Sequence, residues 1–255
     1  MKLRMLGCGT STGVPRIGND WGACDPDEPK NRRTRPSVVI ETERGDRILV
    51  DTSTDLREQL LREDIDRVDA VIWTHDHADH THGIDDLRLM RSSRTNPLPA
   101  FAGEETVRRL RSRFGYVFAG KDGYATIARL APLNKLHLVV GCSVRHCEMP
   151  HGGMTSTGLR FECDNKSIGY AVDFQEITPD MVSLFMGVDL LVSDCLRRQP
   201  HPTHAHLAMA LDFADRVSAS RVVLTHLDNT MDYATLSAEL PKHVRVGFDG
   251  LEIVI

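Results

Sequence analysis

Residues 71–80 constrain this chain more than any other stretch: Val-Ile-Trp-Thr-His-Asp-His-Ala-Asp-His. An apolar run of strand character breaks there into His75, His77, Asp79 and His80. Four ligands of nitrogen and oxygen without sulfur suit zinc or a similar divalent transition metal better than calcium or magnesium. Four side chains this close in sequence would crowd one tetrahedral ion. Two adjacent ions, each completed by ligands from elsewhere in the chain, fit better. A polar loop that collects histidines is the bland alternative, and His-x-His-x-Asp-His directly after a buried strand weighs against it.

The chain has 255 residues, enough for one large domain or two small ones. A net charge of −5 offers no global basic field for nonspecific nucleic-acid binding. The six cysteines, at positions 8, 24, 142, 147, 163 and 195, form no Cys-x-x-Cys pair. The segment Met-Lys-Leu-Arg-Met-Leu-Gly at residues 1–7 lacks the apolar core of a signal peptide, and no apolar stretch is long enough to span a bilayer. These features lead us to expect a cytoplasmic, reducing setting, no membrane partner, and cysteines mostly buried and free.

Along the chain, short runs rich in Val, Ile and Leu alternate with amphipathic segments. The pattern predicts strands over 3–7, 37–42, 47–51, 69–73, 98–102, 136–140, 143–149, 157–163, 167–172, 188–193, 221–225 and 251–255. It predicts helices over 54–63, 83–91, 104–114, 178–186, 204–217 and 230–240, the first capped by Thr54. Two β-rich halves, each ending in helices, imply two packed sheets with helices outside, an α/β fold of αββα layers. No linker or low-complexity tract divides residues 1–255, so a single domain is expected.

Further ligands are sought where strands end and loops gather functional groups. His151 follows a strand and precedes Gly152 and Gly153. Asp173 ends the run Ser-Ile-Gly-Tyr-Ala-Val, and His226 follows Arg-Val-Val-Leu-Thr, echoing the step from strand to His75.

This combination resembles the metallo-β-lactamase superfamily. The resemblance implies that His75, His77 and His151 hold one metal, that Asp79, His80 and His226 hold a second, and that Asp173 bridges them. It also implies a four-layer αββα sandwich with the metals at one edge between the sheets. The cofactors would be two divalent ions, with zinc first and manganese and iron compatible. Such a pair lowers the pKa of a bridging water and neutralises charge developing on a substrate, with Asp79 counted among the catalytic groups.

The fold alone does not choose the bond that is cleaved. Pro-Thr-His-Ala-His-Leu at residues 202–207 is similar to a segment of ribonuclease Z and of the cyclic phosphodiesterases of phosphonate breakdown. In those families a histidine at a helix start serves the scissile phosphate. The match ranks His206 first, as a leaving-group acid, and His204 second, as a substrate contact; a helix-capping His206 is the competing reading. The N-terminal stretch from Leu6 to Gly18, followed by Glu28-Pro29-Lys30-Asn31-Arg32-Arg33, resembles the phosphonate-pathway group in particular, and Arg32 and Arg33 become candidate phosphate contacts. That group carries a cysteine cluster for a structural zinc after the Ile-Gly step. Here Cys24 stands alone, so no structural zinc is expected.

The expected function is therefore a dinuclear metal phosphodiesterase for a small, cyclic or nucleotide-like phosphodiester, in a protein for which the resemblance admits a homodimer. A ribonuclease Z-like tRNA endonuclease is the alternative. Arg108, Arg109, Arg111 and Arg113 favour it; the short 103–135 region and the low overall charge weigh against nucleic acid. Hydrolysis of a lactam, lactone or thioester, and a metal-binding accessory protein without turnover, are the remaining readings.

Overall fold

In the computed structural model, residues 1–255 are described except 93–95, 121–122, 124, 134–135 and 164. Strand β2 (Ser37–Glu41) buries Val38 and Ile40 on one face and Val39 on the other. Strand β3 (Arg47–Val50) repeats the pattern, with Ile48 and Val50 opposite Leu49. Strands covered on both faces read as continuous apolar runs, because neither face meets water.

Seven strands form the first sheet: β1 (Lys2–Gly7), β2, β3, β4 (Ala70–Trp73), β5 (Leu98–Ala102), β6 (Ala128–Pro132) and β14 (Glu252–Val254), in the order β14-β1-β2-β3-β4-β5-β6. The second contains β7 (Leu136–Val139), β8 (Cys142–His151), β9 (Met154–Cys163), β10 (Lys166–Ala171), β11 (Leu190–Asp194), β12 (Val222–Thr225) and β13 (Val244–Val246), in the order β13-β12-β11-β10-β9-β8-β7. Their inner faces meet in a core that includes Leu3, Ile72, Phe161 and Tyr170. Helices α1 (Leu56–Arg62), α3 (Leu87–Ser92), α4 (Glu104–Arg113) and α5 (Gly115–Ala119) cover the first sheet, burying Leu56, Leu87 and Leu110. Helices α6 (Pro179–Phe185), α7 (Leu207–Arg216) and α8 (Tyr233–Glu239) cover the second through Phe185, Phe213 and Leu236. The architecture is the expected αββα sandwich.

Local departures have local causes. Helix α1 starts after Asp55, not Thr54, and has no side-chain cap. The Asp55 carboxylate instead accepts from Arg35, from both the backbone N and Nη1 at 2.9 Å. The segment expected as one helix over 83–91 is a 3-10 turn at Ile84–Asp86 followed by α3. Strands β6 and β13, and helix α5, were not anticipated; each is five residues or fewer.

Strand direction places the site. Strands β3 and β4 are parallel in one sheet, and β10, β11 and β12 are parallel in the other. Strand β8 pairs antiparallel with β9, which pairs antiparallel with β10, so β8 also runs with the parallel set. Parallel strands end on the same side. The residues just past β3, β4, β8, β10, β11 and β12 are thereby gathered at one edge.

Candidate metal centre

The loop after β4 carries His75 and His77 and then a four-residue helix, α2 (Ala78–Thr81), with Asp79 and His80. From the second sheet come His151 at the end of β8, Asp173 after β10 and His226 after β12. Asp51, Asp173 and His226 have φ near +63°, +65° and +61°. Non-glycine residues are uncommon in this left-handed region, and such strain clusters at functional sites.

All seven side chains converge. His75, His77 and His151 form one set of ligand atoms and Asp79, His80 and His226 another, each with its atoms within 4.8 Å of one another. Asp173 lies between the sets. Its Oδ2 is 3.3 Å from His75 Nε2 and 2.8 Å from His80 Nε2, and its Oδ1 is 3.4 Å from His226 Nε2. His77 Nδ1 and His151 Nε2 are 3.4 Å apart. A tetrahedral zinc with Zn–N bonds of about 2.1 Å separates its ligand atoms by roughly that distance. Nε2 of His75, His80 and His226 and Oδ1 of Asp173 are buried without a hydrogen-bond partner. Orphaned buried atoms are costly, and convergent ones are what a cation satisfies. The residues fit a divalent metal.

The outer ring nitrogens are fixed by a second layer. His80 Nδ1 donates to Asp51 Oδ2 at 2.7 Å. Thr74 Oγ1 donates to the same carboxylate at 2.9 Å, which leaves it to accept from His75 Nδ1 at 3.0 Å. His151 Nδ1 donates to the Thr203 carbonyl at 2.7 Å. His226 Nδ1 lies 3.5 Å from Asp194 Oδ1. Asp51 and Asp194 were not singled out from the sequence, although both end strands as Asp173 does. That same signal would have found them.

Protonation suits ligation. Burial, reinforced by the neighbouring His80, holds the His75 imidazole well below its ordinary pKa, and burial lowers His151 as well. Burial pushes Asp173 up, but His226 and His80 outweigh it and keep the carboxylate ionised. Asp79 is held below the carboxylate range against the same burial by His80 and His226.

The sequence pattern ranks His206 above His204, and the geometry favours the reverse. His204 lines the cleft beside Asp79, His151, Asp173 and His226, and stacks on His226 with centroids 4.9 Å apart. Its Nδ1 donates to Asp194 Oδ2 at 3.3 Å and lies 3.0 Å from Asp173 Oδ1. Burial lowers this imidazole, but the two carboxylates prevail and raise its pKa to about 10. His206 is the N-cap of α7, its Nδ1 accepting from the Met209 amide at 3.3 Å. It is two residues too late to reach Asp173.

Neither Arg32 nor Arg33, the expected phosphate contacts, lines the cleft at the metal centre. Arg33 is 2% exposed, and its guanidinium donates to the carbonyls of Asp228 and Met231 and to Asn31 Oδ1. It braces the N-terminal loop. Arg32 is exposed and stacks on Trp21 at 5.1 Å. Cys24 is buried 3.8 Å from Arg33 Nη1, and no cysteine joins a metal-competent cluster among the described residues. Among the described residues none of the six cysteines forms a disulfide.

Residues 46–227 match the β-lactamase superfamily domain. The chain belongs to the metallo-β-lactamase superfamily. Within it, a crystal structure described as a new diphosphatase from the PhnP family shares 33% identity over 99% of this chain and 96% of its own, with a TM-score of 0.89. Zinc-bound PqqB from Methylobacterium extorquens superposes over the full length of both chains at 20% identity and a TM-score of 0.82. The human short-form tRNase Z covers 100% of this chain and 99% of its own at 19% identity and 0.73. These last two show the shared fold. The octanoyltransferase of Porphyromonas gingivalis (strain ATCC BAA-308 / W83) is 34% identical across the whole chain. This superfamily chain spans about half the length of that relative (52%). No helix among the described residues is long and apolar enough to cross a membrane.

Proposed function

We propose that the protein is a phosphoric diester hydrolase with two divalent cations, one on His75, His77 and His151 and one on Asp79, His80 and His226, with Asp173 between them. When bound, the cations supply an ionised water near neutral pH and neutralise charge on the scissile group. The chain's own residues supply the rest. Asp79, ionised and open to the cleft, serves as ligand and orients the attacking water. His204 has its Nδ1 committed to Asp173 and Asp194, so its other nitrogen is the one left to give a proton to the departing oxygen. Asp194 fixes that orientation, and Asp51 does the same for His80.

The carrying observation is the position of His204, an imidazole in the cleft held 3.0 Å from Asp173 at the edge shared by both ligand sets. A cleft of about 240 Å³ favours a small substrate. The likeness to a PhnP-family diphosphatase supports phosphoryl chemistry. The octanoyltransferase relative makes acyl transfer the competitor to test. Zinc leads manganese and iron as the metal, on the nitrogen-rich ligand set.

The test is a panel of aryl, cyclic and diphosphate diesters together with an octanoyl thioester, offered to the zinc- and manganese-loaded protein. Diester turnover, abolished by chelation, is expected. Bound metal with no diester turned over, or turnover of the thioester alone, would overturn the reading.

A further inference from the structure

Asp76 stands between two proposed ligands and is not one itself. His75 and His77 flank it, and the extended backbone at His77 (φ −64°, ψ 155°) puts alternate side chains on opposite sides. Asp76 therefore points away from the metals and toward α4. Its side chain is 2% exposed, an expensive place for a carboxylate without partners. Two arginines on successive turns of α4 supply them. Arg113 Nη1 donates to the Asp76 backbone carbonyl at 2.6 Å while its Nη2 lies 3.0 Å from Oδ2. Arg109 Nη1 reaches Oδ1 at 3.4 Å.

The need for this contact is visible in His77. His75, His80 and His151 each have an outer ring nitrogen held by a protein acceptor, and that of His226 faces Asp194. Among the described residues, the His77 ring has no hydrogen-bonding contact except His151 Nε2. The His77 side chain is also exposed. Among the described residues its ring packs edge-on against His75 and His151, themselves proposed ligands, so its aim depends largely on its backbone. Arg113 grips both the carbonyl and the carboxylate of Asp76, and so fixes the peptide plane that leads into His77.

We propose that Asp76 is a positioning residue, clamped by Arg113 and Arg109, whose role is to preorganise His75 and His77 for the first cation. The inference rests on the two-site reading of the metal centre and not on the substrate. It also reassigns part of the basic run on α4, whose Arg109 and Arg113 bind the protein's own loop.

Calorimetric titration of the metal-free protein with Zn²⁺ tests it. Arg113→Met should weaken one of two binding events by on the order of tenfold, the low end of what loss of an outer contact to a metal site costs. The other event should stay within about twofold, and the metal-free protein should melt somewhat lower, because Asp76 stays buried with Arg109 as its remaining arginine. Asp76→Asn, which keeps the Arg113 contact to the backbone carbonyl, should weaken the same event by no more than Arg113→Met does. In a His151→Ala background, which leaves only the second site intact, Arg113→Met should have no effect on the remaining ion. Equal weakening of both events, no weakening, or an effect that survives His151→Ala would overturn the proposal. If Asp76→Asn fails to fold, Arg113→Met and Arg109→Met carry the test from the surface. No diester is involved, so failure of the phosphodiesterase reading is distinguishable from failure here.

Discussion

Two histidines separated by one alanine divide the work at the start of α7. His204 donates to Asp194, lies against Asp173 and faces the cleft, while His206 accepts from Met209 and caps the helix. His204→Ala is expected to lower kcat by on the order of 10²- to 10⁴-fold, the usual contribution of a positioned proton donor. The loss should be greatest for strongly basic leaving groups, while elemental analysis finds the metal content unchanged. His206→Ala should cost about 0.5–2 kcal/mol of stability, as N-cap removal does, and leave kcat within a few-fold. Equal kcat losses in the two variants would restore His206 to the role its sequence context suggests. The histidine pair was legible from the sequence and its division of labour was not, because two residues of loop decide which imidazole reaches Asp173. Arg33 teaches the same lesson. A basic run signals phosphate only while its side chains are free, and three protein oxygens already take this guanidinium.

At the scale of elements, central strands such as β2, β4 and β12 were legible because both their faces are covered and their residues are almost all apolar. His75, Asp173 and His226 were found because each follows such a run. Strand β6, with the polar alternation of an outer strand, and three-residue β13 carried too little signal. Pairing between elements is still less visible in a sequence, and the β8–β9 hairpin shows what it adds. Glu162 on β9 accepts from Arg145 of β8 at 2.9 Å and from Arg160 at 2.8 Å. Burial pushes this carboxyl up, but the two arginines outweigh it and hold it below its ordinary value of 4.5. A depressed folded pKa gives stability that is present above the unfolded value and lost as pH falls through the folded one. The metal-free wild type should therefore melt above Glu162→Gln at about pH 7, with the gap closing toward about pH 3. A gap that persists in acid would mean the arginines contribute packing and not charge.

For the whole molecule, the proposed metal centre is a seam. His75, His77, Asp79 and His80 hang from the first sheet, and His151, Asp173 and His226 from the second, so each cation would tie the two sheets together. The layers could be read from strand runs and amphipathic helices, yet the seam needed the three-dimensional order. Only parallel neighbours bring the ends of β3, β4, β10, β11 and β12 to one edge. Each cation that binds the native state alone stabilises it by about 2.7 kcal/mol at one hundred times its dissociation constant. For a chain of this size that is a rise in melting temperature of roughly 5–10 °C. Because the ligands come from both sheets, the rise should appear as a shift of one cooperative transition, seen alike by Trp73 fluorescence in the first sheet and by far-ultraviolet dichroism over the whole fold. Asp173→Ala removes the carboxylate between the ligand sets and should abolish most of the shift; it should also lower the metal-free melting temperature, because His80 and His204 lose the carboxylate that faces them. A full zinc-dependent shift in Asp173→Ala would show that the cations bind without the bridge.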